Sequence, residues 1–361
     1  VNGMKPGPNQ YLFLSIYRAG LSPSQRFRVE QYLPHLQQQG YAICQYSFFS
    51  PGLSSSNFRQ GGLLLGTAHL LWGFLRMSRG LLLARNCKAV IVQRELCPIG
   101  PPVFEWLLTR LLRKPYVYDF DDAVWLRHTS GTMGRIIKCP WKTSRQISWA
   151  AQVFAGNAYL LDYALRYNPR SHLLPTVLPH SRQCIIYPRN PLTLGWTGSY
   201  TTLPYLLELE PVLYRLQQHF KFNLLVICNA NPGFKRLQYR YVTWLAAEEQ
   251  AQLLQIDIGL MPQPDTPWTR GKCGFKLIQY MALGICPIAS YSALHAELLQ
   301  NGQAGILCQN PQAWEHQLQK LLQNPAACEA LGRAARQWQQ SHYSLEVHLP
   351  TFAKLLTCKS L

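Results

Sequence analysis

Arg270, Lys272 and Lys276 stand in the run TRGKCGFKLIQYMALG, three cations interleaved with Gly271 and Gly274. An apolar strand, Ile256 to Met261, leads into this segment through a loop punctuated by Pro and Thr. A helix over Phe275–Leu283, a stop at Gly284 and a second strand, Cys286–Ala289, are expected to follow. A loop of this kind sets unpaired backbone N–H groups and fixed positive charge at a helix N-terminus, where a phosphate is stabilised. The chemistry implied is capture of a phosphorylated small molecule.

Four other segments carry residues of chemical interest. Gly195-Trp-Thr-Gly-Ser199 follows a strand and precedes a helix, so its backbone can turn tightly while Ser199, Thr201 and Thr202 cap the helix or meet an anion. Its G-x-x-G spacing is not the dinucleotide fingerprint, and a plain capped corner would have the same letters. YDFDDAVW (118–125) gathers Asp119, Asp121 and Asp122 at a strand end in an acid-poor chain. Three close carboxylates suit a metal, a general base or a hydrogen-bonding station for substrate hydroxyls, or they cap the next segment. Strand alternation points Asp119 and Asp121 to one face. Gln93-Arg94-Glu95 ends another strand, where Arg94 and Glu95 offer substrate contacts or domain-edge ion pairs. In YRAGLSPSQRFR (17–28) a Gly/Ser turn holds Arg18, Ser22, Arg26 and Arg28, a site for an anionic group or a scatter of surface arginines.

These segments need a scaffold that brings strand ends together. Short apolar runs at Tyr11–Tyr17, Tyr41–Tyr46, Ala89–Gln93, Tyr116–Phe120, Gln152–Ala155 and His172–Pro175 alternate with helical stretches at 25–39, 61–84, 102–113 and around 144–150. The Pro- and Arg-containing segment 180–191 then reads as a linker. Alternation resumes with strands at Leu192–Trp196, Asn223–Ile227, Tyr241–Trp244 and Ile256–Met261, and helices at 202–218, 248–254, 292–300, 311–322 and 325–340. Parallel strands joined by right-handed crossovers follow, with helices on both sheet faces. The predicted class is α/β: two doubly wound, Rossmann-like domains in tandem, with a ligand cleft at the carboxyl ends of their strands.

Composition narrows the function classes. Hydrophobic residues make up 48% and charged residues 14% of 361, which excludes a disordered chain. The formal charge of +18 suits nucleic acid, an anionic membrane or a polyphosphate substrate. No run of five or more basic residues occurs, which argues against a specific nucleic-acid arm. Eleven dispersed cysteines without a C-x-x-C pair read as small buried hydrophobes in a reducing cytoplasm. The polar opening VNGMKPGPNQ predicts no leader peptide, and no apolar run reaches the ~18 residues of a spanning helix. Segment 61–86 comes nearest, but Arg76, Arg79 and Arg85 make it an amphipathic helix with a basic edge.

Taken together, SPSQRFR (22–28), QRELCPIGPPVFEWLL (93–108), KPYVYDFDDAVWL (114–126), VFAGNAYLLDYALRYNPRSHLLPTVL (153–178), LGWTGSYTTLPYL (194–206) and the stretch 257–290 resemble a retaining sugar-nucleotide glycosyltransferase of GT-B fold, in family 4, the bacterial group 1 glycosyltransferases. The resemblance extends over nearly the whole chain. It implies an acceptor domain over 1–185, a nucleotide-sugar domain over 186–340, facing it across a cleft, and a C-terminal helix over 341–361 that packs back on the first domain.

The resemblance also implies roles. Gly274 and Phe275 would cradle the donor diphosphate of a UDP- or GDP-sugar, with Arg270, Lys272 and Lys276 supplying charge and Gly198 and Ser199 closing the other side. Where relatives carry two Glu residues this chain has Gly271 and Gln279, so Gln279 meets the ribose without charge. Where relatives place a His-Asp pair near the anomeric carbon, this chain has Asp121 and Asp122. Arg18, Ser22, Arg26, Arg94 and Glu95 become acceptor-side candidates, toward a glycan or lipid-linked acceptor. No metal and no cofactor beyond the nucleotide sugar are implied. The setting implied is the cytoplasm, peripheral to the inner membrane face, in surface polysaccharide or glycolipid synthesis. A catalytically silent module serving as a binding partner is the alternative that Gly271 and Gln279 motivate.

Overall fold

The computed structural model describes residues 10–50, 62–126, 139–187 and 189–357. Two compact units emerge. One comprises the chain up to Thr176 with Gly271–Cys273 and the residues from His348; the other comprises Val177–Arg270 and Gly274–Val347.

The first unit is built on six parallel strands: β1 (Gln10–Ser15), β2 (Ala42–Ser47), β3 (Ala89–Gln93), β4 (Tyr116–Phe120), β5 (Gln152–Ala155) and β6 (Ser171–Leu173), in the order β2-β1-β3-β4-β5-β6. Every residue of β3 and β4 is buried, as expected for central strands covered on both faces. Leu12, Val90, Val92, Tyr118 and Phe120 form the core with Met77 and Leu81 of the helix Gly62–Ala84. The helix expected over 25–39 is instead broken into Pro23–Arg28, a tight turn Glu30–Tyr32 and Leu33–Gln38. Val29 leaves helical geometry at φ −129°, and Pro34, lacking an N–H, is tolerated only because it opens the third piece. A helix at Ala158–Leu165, which hydrophobic runs did not mark, is capped by Asn157, whose side chain accepts from the Leu160 N–H at 2.8 Å. Within this unit Phe352, on the final helix Leu345–Thr357, stacks on Tyr32 with ring centroids 4.3 Å apart.

The second unit repeats the architecture. Its strands are β7 (Thr193–Gly198), β8 (Asn223–Cys228), β9 (Arg240–Thr243), β10 (Ile258–Met261), β11 (Cys286–Ser290) and β12 (Ile306–Cys308), in the order β12-β11-β10-β7-β8-β9. The direction of winding reverses between β7 and β10, so the ends of these two strands flank the place where doubly wound sheets receive ligands. The expected helix over 202–218 is two helices, Leu203–Leu207 and Glu210–His219, the second begun by Pro211. Residues of the anticipated linker lie within this unit: Ile185 is buried and donates its N–H to Leu283 O at 3.0 Å. The ten described cysteines are free thiols, eight of them buried.

Candidate functional site

The carboxyl end of β4 carries a network of three carboxylates. Asp119, fully buried, meets Arg28, itself 1% exposed, at 2.5 Å. Arg28 also donates to Leu174 O at 2.6 Å. Burial opposes the charge on this guanidinium, yet the Asp119 carboxylate outweighs it and raises the arginine's pKa. On the carboxylate the balance falls the other way: burial lifts the Asp119 pKa above its ordinary value against the pull of Arg28. This pair anchors the helix Pro23–Arg28 to the sheet.

One turn earlier on that helix, Ser24 donates to Asp121 at 2.6 Å and accepts from Gln93 at 2.7 Å. Arg94 binds Asp121 through Nε at 2.7 Å and Asp122 through Nη2. Lys272 reaches Asp122 at 3.3 Å. Burial pushes the Asp121 carboxyl up, but Arg94 and Arg28, with hydrogen bonds from Arg94 and Ser24, hold it below its ordinary value. Asp121 is thus a fixed anion and a weak base at neutral pH, suited to orienting hydroxyls rather than carrying protons. The three carboxylates that the sequence offered as a metal site are ion-paired. Among the described residues no group of three or more His, Cys, Asp or Glu side chains is arranged to hold a metal.

Arg94 holds its position with a left-handed backbone, φ 61°, its N–H donating to Asp119 O at 2.8 Å. Gly271, also in this unit, is confined: a Cβ there would lie 2.3 Å from the Ala123 methyl and 2.9 Å from its backbone nitrogen. Next to it Asn157 donates to Lys272 O at 2.7 Å. A glutamate in place of Gly271 has no room beside Ala123.

Among the acceptor-side candidates, Arg94 belongs to the carboxylate network and Glu95 pairs with Lys142 at 3.1 Å. Both line a small cavity with Trp125, Lys142, Thr143 and Gln146. Arg18 is exposed in the turn after β1, Ser22 sits at the start of the next helix without a side-chain cap bond, and Arg26 lies over the Phe27 ring at 4.9 Å. Sequence reasoning passed over Ser24, Gln93 and the pairing role of Arg28. The Ser24/Arg28 spacing of one helical turn was the available signal.

In the second unit three of the expected donor residues, Gly198, Ser199 and Lys276, lie beside the switch between β7 and β10, while Lys272 belongs to the first unit. The Lys276 ammonium lies 4.4 Å from the centroid of the buried Trp196 ring and 3.2 Å from Thr202 Oγ1. A Cβ on Gly198 would stand 2.7 Å from that ammonium and 2.4 Å from the Trp196 ring, so only glycine leaves this approach open. Ser199 Oγ pairs with Thr201 Oγ1 at 2.7 Å, and Ser199 O accepts the N–H groups of Thr202 and Leu203. Gly274, at φ 61°, begins the helix Phe275–Ala282, and Gln279 is buried on that helix. Lys276, Gly198 and Ser199 therefore gather at one turn. Arg270 forms a bidentate pair with Asp265, both contacts at 2.8 Å, on the surface.

Comparison with known proteins bears on this geometry. Residues 222–338 match the family model described as Glycosyl transferases group 1. Among solved structures, sucrose-phosphate synthase from Thermosynechococcus elongatus superposes with a TM-score of 0.70 at 13% identity, covering 96% of this chain and 98% of its own. HepE of Anabaena, in complex with UDP and glucose, gives 0.65 at 11% identity, covering 97% and 100%. The fold is GT-B. A UDP-forming trehalose-phosphate synthase from Burkholderia xenovorans has it too, at 0.64 and 13% identity over 97% of this chain and 99% of that one. No curated protein sequence matches the chain. The family match in the second GT-B domain, with the fold, supports a group 1 glycosyltransferase.

Proposed function

We propose that the chain is a retaining glycosyltransferase that moves a sugar from a UDP- or GDP-sugar to a glycan or lipid-linked acceptor, in bacterial surface polysaccharide or glycolipid synthesis at the inner membrane face. The observation that carries the reading is the Lys276 ammonium held over Trp196 beside the Gly198–Thr202 turn, at the switch between β7 and β10. That arrangement suits a diphosphate: a fixed cation, a side-chain-free backbone approach at Gly198 and the start of the helix Phe275–Ala282. As the glycosidic bond to the donor breaks, negative charge grows on the leaving diphosphate, and Lys276 neutralises it. The leaving group accepts the acceptor hydroxyl's proton on the face where the new bond forms, which retains configuration. Asp121 and Asp122, both paired with Arg94, orient sugar hydroxyls, and Arg94 with Glu95 faces the acceptor. The reaction needs no metal in this scheme, because lysine charge fills that role.

Calorimetric titration with UDP and GDP, followed by mass spectrometry of products from UDP- and GDP-sugars with a lipid-linked acceptor, tests the reading. Nucleotide binding with transfer supports it. No binding of either nucleotide at millimolar concentration would leave the silent binding module as the better account.

A further inference from the structure

The helix Gly62–Ala84 turns one face inward, with Gly73, Met77, Gly80, Leu81 and Ala84 buried. Positions a turn or two apart on the opposite face are normally polar. Here Leu71, Trp72, Leu75 and Leu82 occupy that face, each more than half exposed. Phe74 on its flank meets Phe104 with ring centroids 5.6 Å apart, joining this helix to the next helical segment, Val103–Leu111. That segment adds the exposed Trp106 and Leu111. Two adjoining helical segments of one unit thus present large apolar side chains to solvent, beyond the scattered exposure usual on a soluble surface.

The charges around them have one sign. Arg79, Arg85, Arg110 and Arg113 are exposed on these segments or at their ends. The two acids between residues 61 and 114 are occupied: Glu105 is buried, accepting from Leu96 N and Gln146 Nε2, and Glu95 pairs with Lys142. An apolar face with two tryptophans and an arginine rim matches the interface of an anionic bilayer, where indoles sit at headgroup depth and guanidiniums meet phosphates. No helix among the described residues is long and apolar enough to cross a membrane, so the contact is one of lying on the surface.

We infer that the faces of Gly62–Ala84 and Val103–Leu111 form a docking surface for an anionic lipid bilayer, seated by Trp72, Leu75, Leu82 and Trp106. The inference rests on the proposed function only in having a membrane-bound acceptor to reach; docking itself involves no nucleotide. The rim predicts salt-sensitive attachment, and the apolar face a remainder that salt does not remove.

The test is flotation of the full chain with phosphatidylcholine vesicles prepared with and without phosphatidylglycerol, alongside the double variant Leu75→Glu/Leu82→Glu. Both positions are exposed and glutamate favours helix, so the variant keeps its fold, checked by circular dichroism and by UDP and GDP titration. Wild type is expected to float with the anionic vesicles and the variant to bind them roughly tenfold or more weakly, with nucleotide affinity unchanged. Equal flotation of variant and wild type, or no flotation of wild type, overturns the inference whatever the nucleotide result. A lipid-free dimer that the same substitutions turn into a monomer also overturns it, since a second copy then covers the face.

Discussion

Replacing Arg28 with Met removes a buried cation while keeping an unbranched chain of similar length. Among the described residues Arg28 supplies every side-chain hydrogen bond that the Asp119 carboxylate accepts, through Nε at 3.2 Å and Nη2 at 2.5 Å. The variant leaves a carboxylate with no exposure and no side-chain donor, and it also strips Leu174 O of a 2.6 Å donor. Breaking a fully buried pair from one side costs about 3–5 kcal/mol, a large share of the ~5–15 kcal/mol that holds a domain together. The second substitution Asp119→Leu, which removes the stranded charge, is expected to recover much of the loss.

The pH dependence has a definite sign. Burial already raises the folded-state pKa of Asp119 with Arg28 present, and losing Arg28 removes the largest opposing pull, leaving only the weaker one of Arg94. The folded variant then holds a proton that the unfolded chain has released, so its stability falls as pH rises from the unfolded value toward the folded one, by up to about 1.4 kcal/mol per unit. Hydrogen exchange in denaturant, followed on peptides covering 23–28 and 116–120, measures this in the first unit alone. Arg28→Met within about 1 kcal/mol of wild type, or a double variant no better than the single, refutes the reasoning.

Three further outcomes are expected. Lys276→Ala removes a charge-assisted phosphate contact worth roughly 1.5–3 kcal/mol, seen by calorimetry as weaker UDP or GDP binding; unchanged affinity moves the diphosphate away from β7. Asp121→Asn is expected to lower kcat more than nucleotide affinity. Its wild-type carboxyl has a depressed folded pKa, so its stabilising share is present above the unfolded pKa and lost as acid protonates it; the variant lacks that acid-dependent share in pH-melting curves. His295 is buried with Nδ1 2.7 Å from Ser290 O, and burial lowers its pKa, so the unfolded chain binds protons first. The second unit's stability should therefore fall as pH drops through about 6.5 and below, measured by exchange over 286–299, and His295→Gln should flatten that slope.

The sheets were legible because central parallel strands are buried on both faces and so read as unbroken apolar runs, as AVIVQ and YVYDF do. Helix continuity was harder to read, since Pro34 and Pro211 suit both a helix interrupted and a helix begun. The three residues of β12 are too few for a periodic signal, and they follow Gly305 at φ 153°. That Lys276 lies beside the Gly198 turn was implied by the family resemblance, and it agrees with each lying next to a strand end of one sheet. The partners of Asp119 and Asp121 were not: Arg28 and Ser24 lie 91 and 97 residues away in sequence, and only the packed helix Pro23–Arg28 brings them close. The pairing of Arg270 with Asp265, five residues earlier, was likewise not read from the sequence.

Arg94 has a bearing on which sequences this fold tolerates. Its left-handed backbone costs about 1 kcal/mol relative to glycine, so at most such positions drift toward glycine is easy. Here the relaxed residue would remove the cation between Asp121 and Asp122, leaving two neighbouring carboxylates to repel each other. Lysine would keep charge but lose the fork that spans both acids. Each nearby step in sequence space is blocked by a different term, backbone or charge, so position 94 should change only together with one of the two aspartates. Pairwise libraries at 94 and 121, or at 94 and 122, would reach functional sequences that single-site scanning at 94 misses.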